Sequence, residues 1–130
     1  TGTFYKDIAK NMVFKAIETL ADNDFHHECI NVPGAFEVPA VISSLSKEDK
    51  YIGFVALGCV IRGETSHYDY ICSETARALM DLSLQGVAIG YGILTCENKK
   101  QAEKRQFDKG ESAAIACVKM IQVIHEASNK

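Results

Sequence analysis

The chain of 130 residues has no apolar run near the ~18 residues that a membrane helix needs, and no signal-peptide pattern opens it. Those absences point to a cytoplasmic protein that does not enter the membrane. It also lacks an excess of one charge. Fourteen Lys and Arg stand against 17 Asp and Glu, a net charge of −3, and without a long basic stripe nucleic acid is excluded as the expected partner. The five cysteines, Cys29, Cys59, Cys72, Cys96 and Cys117, are odd in number and form no C-x-x-C pair. That argues against a zinc site and a disulfide framework. Each lies in or beside an apolar stretch, as expected of small buried side chains in a reducing cytosol. No internal repeat, linker or low-complexity segment occurs. There is no Gly-x-Ser-x-Gly elbow or Walker-type loop, and Gly90-Tyr91-Gly92 lacks the third glycine of a dinucleotide fingerprint. What is present is an ordinary globular composition, 47% apolar, of a length that suits one domain over residues 1–130.

Hydrophobic periodicity alternates along the chain. Ile8, Met12, Val13, Ala16, Ile17 and Leu20 form one stripe of a helix over 4–21. Residues 28–32 lean towards a strand that Pro33-Gly34 ends, and 37–45 reads as a helix that tolerates Pro39 in its first turn. Residues 51–61 and 87–94 are nearly continuous apolar runs, as strands buried on both faces should be. Between them lies a helix over 67–84, striped by Ile71, Thr75, Ala78, Leu79 and Leu82 and stopped by Gly86. A short charged helix over 98–106 and a last one over 111–127 follow, the latter with Ala114, Cys117, Val118, Ile121 and Ile124 on its apolar face. The pattern predicts an α/β fold, a parallel sheet covered by helices on both faces. Such folds open on a strand, whereas this chain opens at Thr1 on a helix. A first strand is therefore expected ahead of Thr1.

Ligands of open parallel sheets bind where strand carboxyl ends lead into helices. Three loops qualify. Residues 58–67 leave a buried strand through Arg62-Gly63-Glu64-Thr65-Ser66 and reach His67. Free backbone N–H groups at a helix start can cradle a phosphate or carboxylate, and an imidazole, which ordinarily titrates at about pH 6.5, suits proton transfer. The competing reading is a helix capped by Thr65 or Ser66 with a solvated His67. Residues 32–37 turn at Pro33-Gly34 and place Phe36 where a ring can stack on a flat ligand, with Glu37 as acceptor. Here the alternative is a core Phe36 and a Glu37 that favours the helix start. Residues 91–95 are followed by Glu97, Gln101, Arg105 and Lys109. Arg105 can clamp a phosphate through two N–H groups, although spaced cations on a helix also describe a solvated face. His26 and His27 fall in a polar stretch, and His125 stands apart from all three loops.

Taken together, V-P-G-A-F-E, G-C-V-I-R-G-E-T-S-H-Y-D-Y and Y-G-I-L-T-C-E-N-K-K-Q-A, with a later Arg and Lys-Gly, resemble the 6,7-dimethyl-8-ribityllumazine synthase family over residues 4 to 125. The resemblance implies a three-layer flavodoxin-like sandwich with a four-stranded parallel sheet. It implies condensation of 5-amino-6-ribitylamino-2,4-pyrimidinedione with 3,4-dihydroxy-2-butanone 4-phosphate, the penultimate step of riboflavin biosynthesis, without metal or organic cofactor. Small-molecule substrates, a homo-pentamer or a shell of twelve pentamers, and riboflavin synthase are the implied partners. His67 would be the proton donor and acceptor. Phe4 and Phe36 would contact the pyrimidinedione, Ala35, Phe36 and Glu37 its ribityl side, and Cys59, Val60 and Ile61 the heterocycle through backbone groups. Glu64 and Thr65 would hold the butanone phosphate through backbone amides. From a neighbouring subunit, Tyr91 would cover the heterocycle, Arg105 would bind the phosphate, and Lys109 matches a nearby basic position. Two departures stand out: Tyr91 replaces a more common Phe or His, and only Gln106, Phe107 and Asp108 separate Arg105 from Lys109. A scaffold subunit without turnover and a flavin-binding electron carrier are the competing functions.

Overall fold

Apolar residues three and four apart make the first helix, α1 (Lys6–Asp22), which buries Ile8, Ala9, Met12 and Ala16. In the computed structural model, which describes residues 1–63 and 67–128, irregular chain leads from there to a 3₁₀ turn at Ala35–Glu37. Helix α2 (Val38–Ser46) continues it, with Pro39 in its first turn, where no N–H is needed. Strand β1 (Phe54–Ile61), helix α3 (His67–Leu84) and strand β2 (Ile89–Cys96) follow. Gly86, at φ 94°, lies just beyond α3. The two strands are parallel, paired from Phe54 with Ile89 to Ile61 with Cys96.

Side chains alternate across this sheet as the two-residue period demands. Leu57, Cys59, Leu94 and Cys96 pack with Ile8, Met12 and Ala16 of α1 and with Ala102, Ala113 and Ala114 further along the chain. Ala56, Val60, Ile89 and Ile93 pack on the opposite face with Val38, Ile42, Leu79 and Leu82. Helices therefore cover both faces, and the molecule has three layers. Residues 1–3 lie alongside β1, with the Gly2 N–H donating to the Leu57 carbonyl at 2.8 Å. On their other side, Thr3 N–H donates to Val32 O at 2.9 Å and Val32 N–H to Thr1 O at 2.8 Å, a parallel bridge between Gly2 and Val32. The lateral order is thus 28–32, 1–3, β1, β2.

Several expectations need correction. The segment 28–32 is not a regular strand: among the described residues, only Val32 joins a bridge, because its neighbour of residues 1–3 is too short to carry a ladder. The two closing helices are one, α4 (Lys99–Ser128), 30 residues long, running straight through Gly110. The strands begin three and two residues later than the apolar runs do, at Phe54 and Ile89. Cys59, Cys96 and Cys117 are buried and Cys72 partly so, but Cys29 is exposed, and all five are free thiols.

A largely apolar cavity of about 450 Å³ opens between α1 and α2. Val13 and Ile17, Val38 and Ile42, the 28–32 segment and the first half of β1 line it. Among the described residues, no helix is long and apolar enough to cross a membrane.

Candidate functional site

Because every extended segment runs the same way, four carboxyl ends reach one edge of the sheet: Thr3, Val32, Ile61 and Cys96. Loops leave that edge towards helices, so the side chains that follow each end gather there. After Thr3 comes Phe4, 75% exposed, its ring edge-on to Tyr5 with centroids 5.0 Å apart. After Val32 comes the 3₁₀ turn, where Ala35 is buried and faces Gly58 of β1 closely enough that a Cβ there would meet the Ala35 Cβ at 3.3 Å. That contact turns the next two residues outward. Phe36 is 57% exposed and Glu37 is exposed beside it. An exposed ring beside a carboxylate at a strand end can take a flat, hydrogen-bonding ligand; the reading of Phe36 as core is excluded.

Of the middle loop, Cys59 and Val60 are buried within β1 and Ile61 is half-buried at its end. Burial, reinforced by Cys96, pushes the Cys59 thiol up to about 12, so this side chain is a neutral part of the core and not a nucleophile. His67 is exposed as the first residue of α3, and α3 packs against the 3₁₀ turn. Glu64 and Thr65 lie outside the described residues.

The remaining three candidates form a second group along the free side of β2. Tyr91 pairs with Ala56, five residues before the strand ends, or roughly 17 Å from the edge at 3.3 Å per residue. Lys109 of α4 reaches over it, Nζ 5.4 Å from the ring centroid. Burial raises the Tyr91 hydroxyl pKa, helped by Cys72 and Tyr68, and burial lowers the Lys109 ammonium, helped by the Arg105 charge. Arg105, exposed and one helical turn before Lys109, donates to Cys96 Sγ at 3.6 Å. Tyr91 thus sits back along β2 under Lys109, whereas Arg105 reaches the carboxyl end of that strand at Cys96.

The sequence reading passed over a cluster at the same edge. Arg62 Nε donates to Glu97 Oε2 at 2.8 Å, its Nη1 lies 3.5 Å from Asp69 Oδ1, and its guanidinium sits 4.4 Å from the centroid of the Tyr68 ring. Glu97 in turn precedes the start of α4, where Asn98 Oδ1 accepts from Gln101 N–H at 2.9 Å and Gln101 Oε1 accepts from Glu97 N–H at 2.9 Å. The Asn-x-x-Gln helix start beside Glu97 is legible in the sequence, but nothing there pairs Glu97 with Arg62. Among the described residues, no cluster of three His, Cys, Asp or Glu is placed to hold a metal ion.

Comparison with known proteins shows what the chain is similar to. A family described as 6,7-dimethyl-8-ribityllumazine synthase matches residues 1–125. The 6,7-dimethyl-8-ribityllumazine synthase of Bartonella bacilliformis is 45% identical over 125 residues, covering 91% of this chain and 82% of the relative. That of Sphingopyxis alaskensis is 43% identical over 123 residues, with 91% and 86% covered. That of Zymomonas mobilis is 42% identical over 124 residues, with 92% and 89% covered.

Proposed function

The chain belongs to the 6,7-dimethyl-8-ribityllumazine synthase family, transferases of riboflavin biosynthesis, and from that premise we propose that it joins 5-amino-6-ribitylamino-2,4-pyrimidinedione to 3,4-dihydroxy-2-butanone 4-phosphate. The observation that supports this best is that His67 opens α3, the helix that packs against the turn presenting Phe36 and Glu37. The pyrimidinedione lies on Phe36 with Phe4 nearby, held by backbone groups of Cys59, Val60 and Ile61 and, at its ribityl side, by Ala35 and Glu37. The butanone phosphate is held by the backbone of Glu64 and Thr65, and His67 moves the protons.

Amine attack on the ketone and loss of phosphate both need proton transfer, which a neutral imidazole can serve. Fixing two substrates in line is worth up to ~7–11 kcal/mol of the barrier, so binding geometry carries more of the rate than the imidazole does. Tyr91, Arg105 and Lys109 complete the site from an adjacent subunit. The setback of Tyr91 from the carboxyl edge favours that arrangement, in which each chain offers one half-site to each neighbour. The assembly is a pentamer or a shell of twelve pentamers in the cytoplasm, with riboflavin synthase as its partner. Each subunit is one domain whose parallel sheet is four-stranded.

The test is steady-state formation of the lumazine from the two substrates. His67→Ala should slow turnover without abolishing it, and Arg105→Ala should raise the KM for the butanone phosphate more than His67→Ala does. The reverse order, or no product from the unaltered protein, would overturn the reading. Light scattering should give a particle of five or sixty times the 14.3 kDa chain; a monomer would leave the half-sites apart.

A further inference from the structure

We propose that Arg62 is a positioning residue for this reaction: its side chain holds the first turn of α3, which begins at His67, against the carboxyl ends of β1 and β2. The inference rests on the role assigned to His67 above. Its grounds are geometric. The Arg62 N–H donates to the Cys96 carbonyl at 2.8 Å, carrying the β1–β2 pairing one residue beyond the strands. From that fixed backbone the guanidinium reaches three side chains on two other elements. One edge meets Glu97 at 2.8 Å, the other faces Asp69 at 3.5 Å, and the planar face lies on Tyr68. Tyr68 and Asp69 are the second and third residues of α3, directly after His67.

Stability is not what this arrangement supplies. The ion pairs are about half-exposed, and such pairs contribute ~0–1 kcal/mol each. What three contacts on one rigid plane supply is orientation. α3 follows the strand through a short connection, and a turn of the helix by one residue would swing its first side chain by about 100°. A displacement of ~1 Å at a reacting group can cost as much as 10²-fold in rate. Glu97 provides the fixed point, because its own N–H is held in the start of α4. Only a guanidinium can use two edges and a face at once; a lysine ammonium can keep the Glu97 contact but not the other two together.

The experiment compares Arg62→Gln, Arg62→Lys, Glu97→Gln and the double variant Arg62→Gln/Glu97→Gln in lumazine formation, with thermal unfolding measured alongside. Arg62→Gln should lower kcat about tenfold while the unfolding midpoint moves by about 2 °C or less, and Arg62→Lys should recover part of the loss. Glu97→Gln should lower kcat in the same direction, and the double variant should be no slower than Arg62→Gln alone, since both remove one linkage. A kcat for Arg62→Gln within twofold of the unaltered protein would overturn the proposal. So would losses that multiply in the double variant. Should Arg62→Gln fail to fold, Glu97→Gln reads the same linkage from its other end, and an unchanged kcat there is equally adverse. The reading of His67 is separable: it fails if the unaltered chain makes no product or if His67→Ala is indifferent, whatever Arg62 does.

Discussion

Gly110 of α4 lies directly against the main chain of Met12 in α1: a Cβ on Gly110 would stand 2.5 Å from the Met12 carbonyl oxygen. Two helices that cover the same face of the sheet therefore touch backbone to backbone at this point. Replacing a helix-interior glycine by alanine ordinarily stabilises by ~1 kcal/mol. Here the sign should reverse. Gly110→Ala should destabilise the protein by about 2 kcal/mol through overpacking, read as a fall in the urea midpoint with the slope retained.

Thr75 offers the opposite case. It is 1% exposed on the inner face of α3, and its hydroxyl has no hydrogen-bond partner among the described residues. Thr75→Val keeps the shape and removes the unsatisfied group, so it should stabilise by about 1 kcal/mol. A loss of stability in thermal unfolding would contradict that account.

The thiols should divide by burial. Cys29 should react rapidly with a thiol reagent in the native protein, Cys72 slowly, and Cys59, Cys96 and Cys117 only on unfolding. The buried ones also give a pH dependence. Burial raises Cys59 to about 12 and Cys117 to about 11 from an ordinary value of 9.0. Above pH 9 the unfolded chain releases these protons while the folded chain keeps them. Stability is therefore full below pH 9 and falls as pH rises towards 11 and 12. By pH 10 the loss should be on the order of 1 kcal/mol per thiol. Urea unfolding at pH 8 and 10 checks it, and Cys59→Ala should flatten the decline.

The parts of the fold that could be read from sequence are those whose pattern is local. Helix 67–84 lies where its stripe and Gly86 put it, and the apolar runs contain all of β1 and β2 as far as Leu94. The gap expected between 106 and 111 is helix, and the reason for a glycine there, a contact with a residue 98 positions earlier, lies in no window of that helix. Residues 28–32 misled in the other direction: strand propensity is present, but a strand needs a neighbour long enough to pair with it. The carboxyl-edge residues Phe36 and His67 were visible from loop logic alone. The same logic reached the loop with Tyr91, Arg105 and Lys109, but only the family resemblance raised them above the alternative, since nothing local distinguishes a ligand cation from a solvated one. The Arg62–Glu97 pair joins residues 35 apart and had no sequence signature of its own.

The cavity between α1 and α2 has a thermodynamic consequence. Its mouth is open, so apolar side chains of both helices and of β1 border about 450 Å³ of space that solvent can enter. An apolar guest taking that space would bind the folded form alone, and the unfolding midpoint should climb with its concentration.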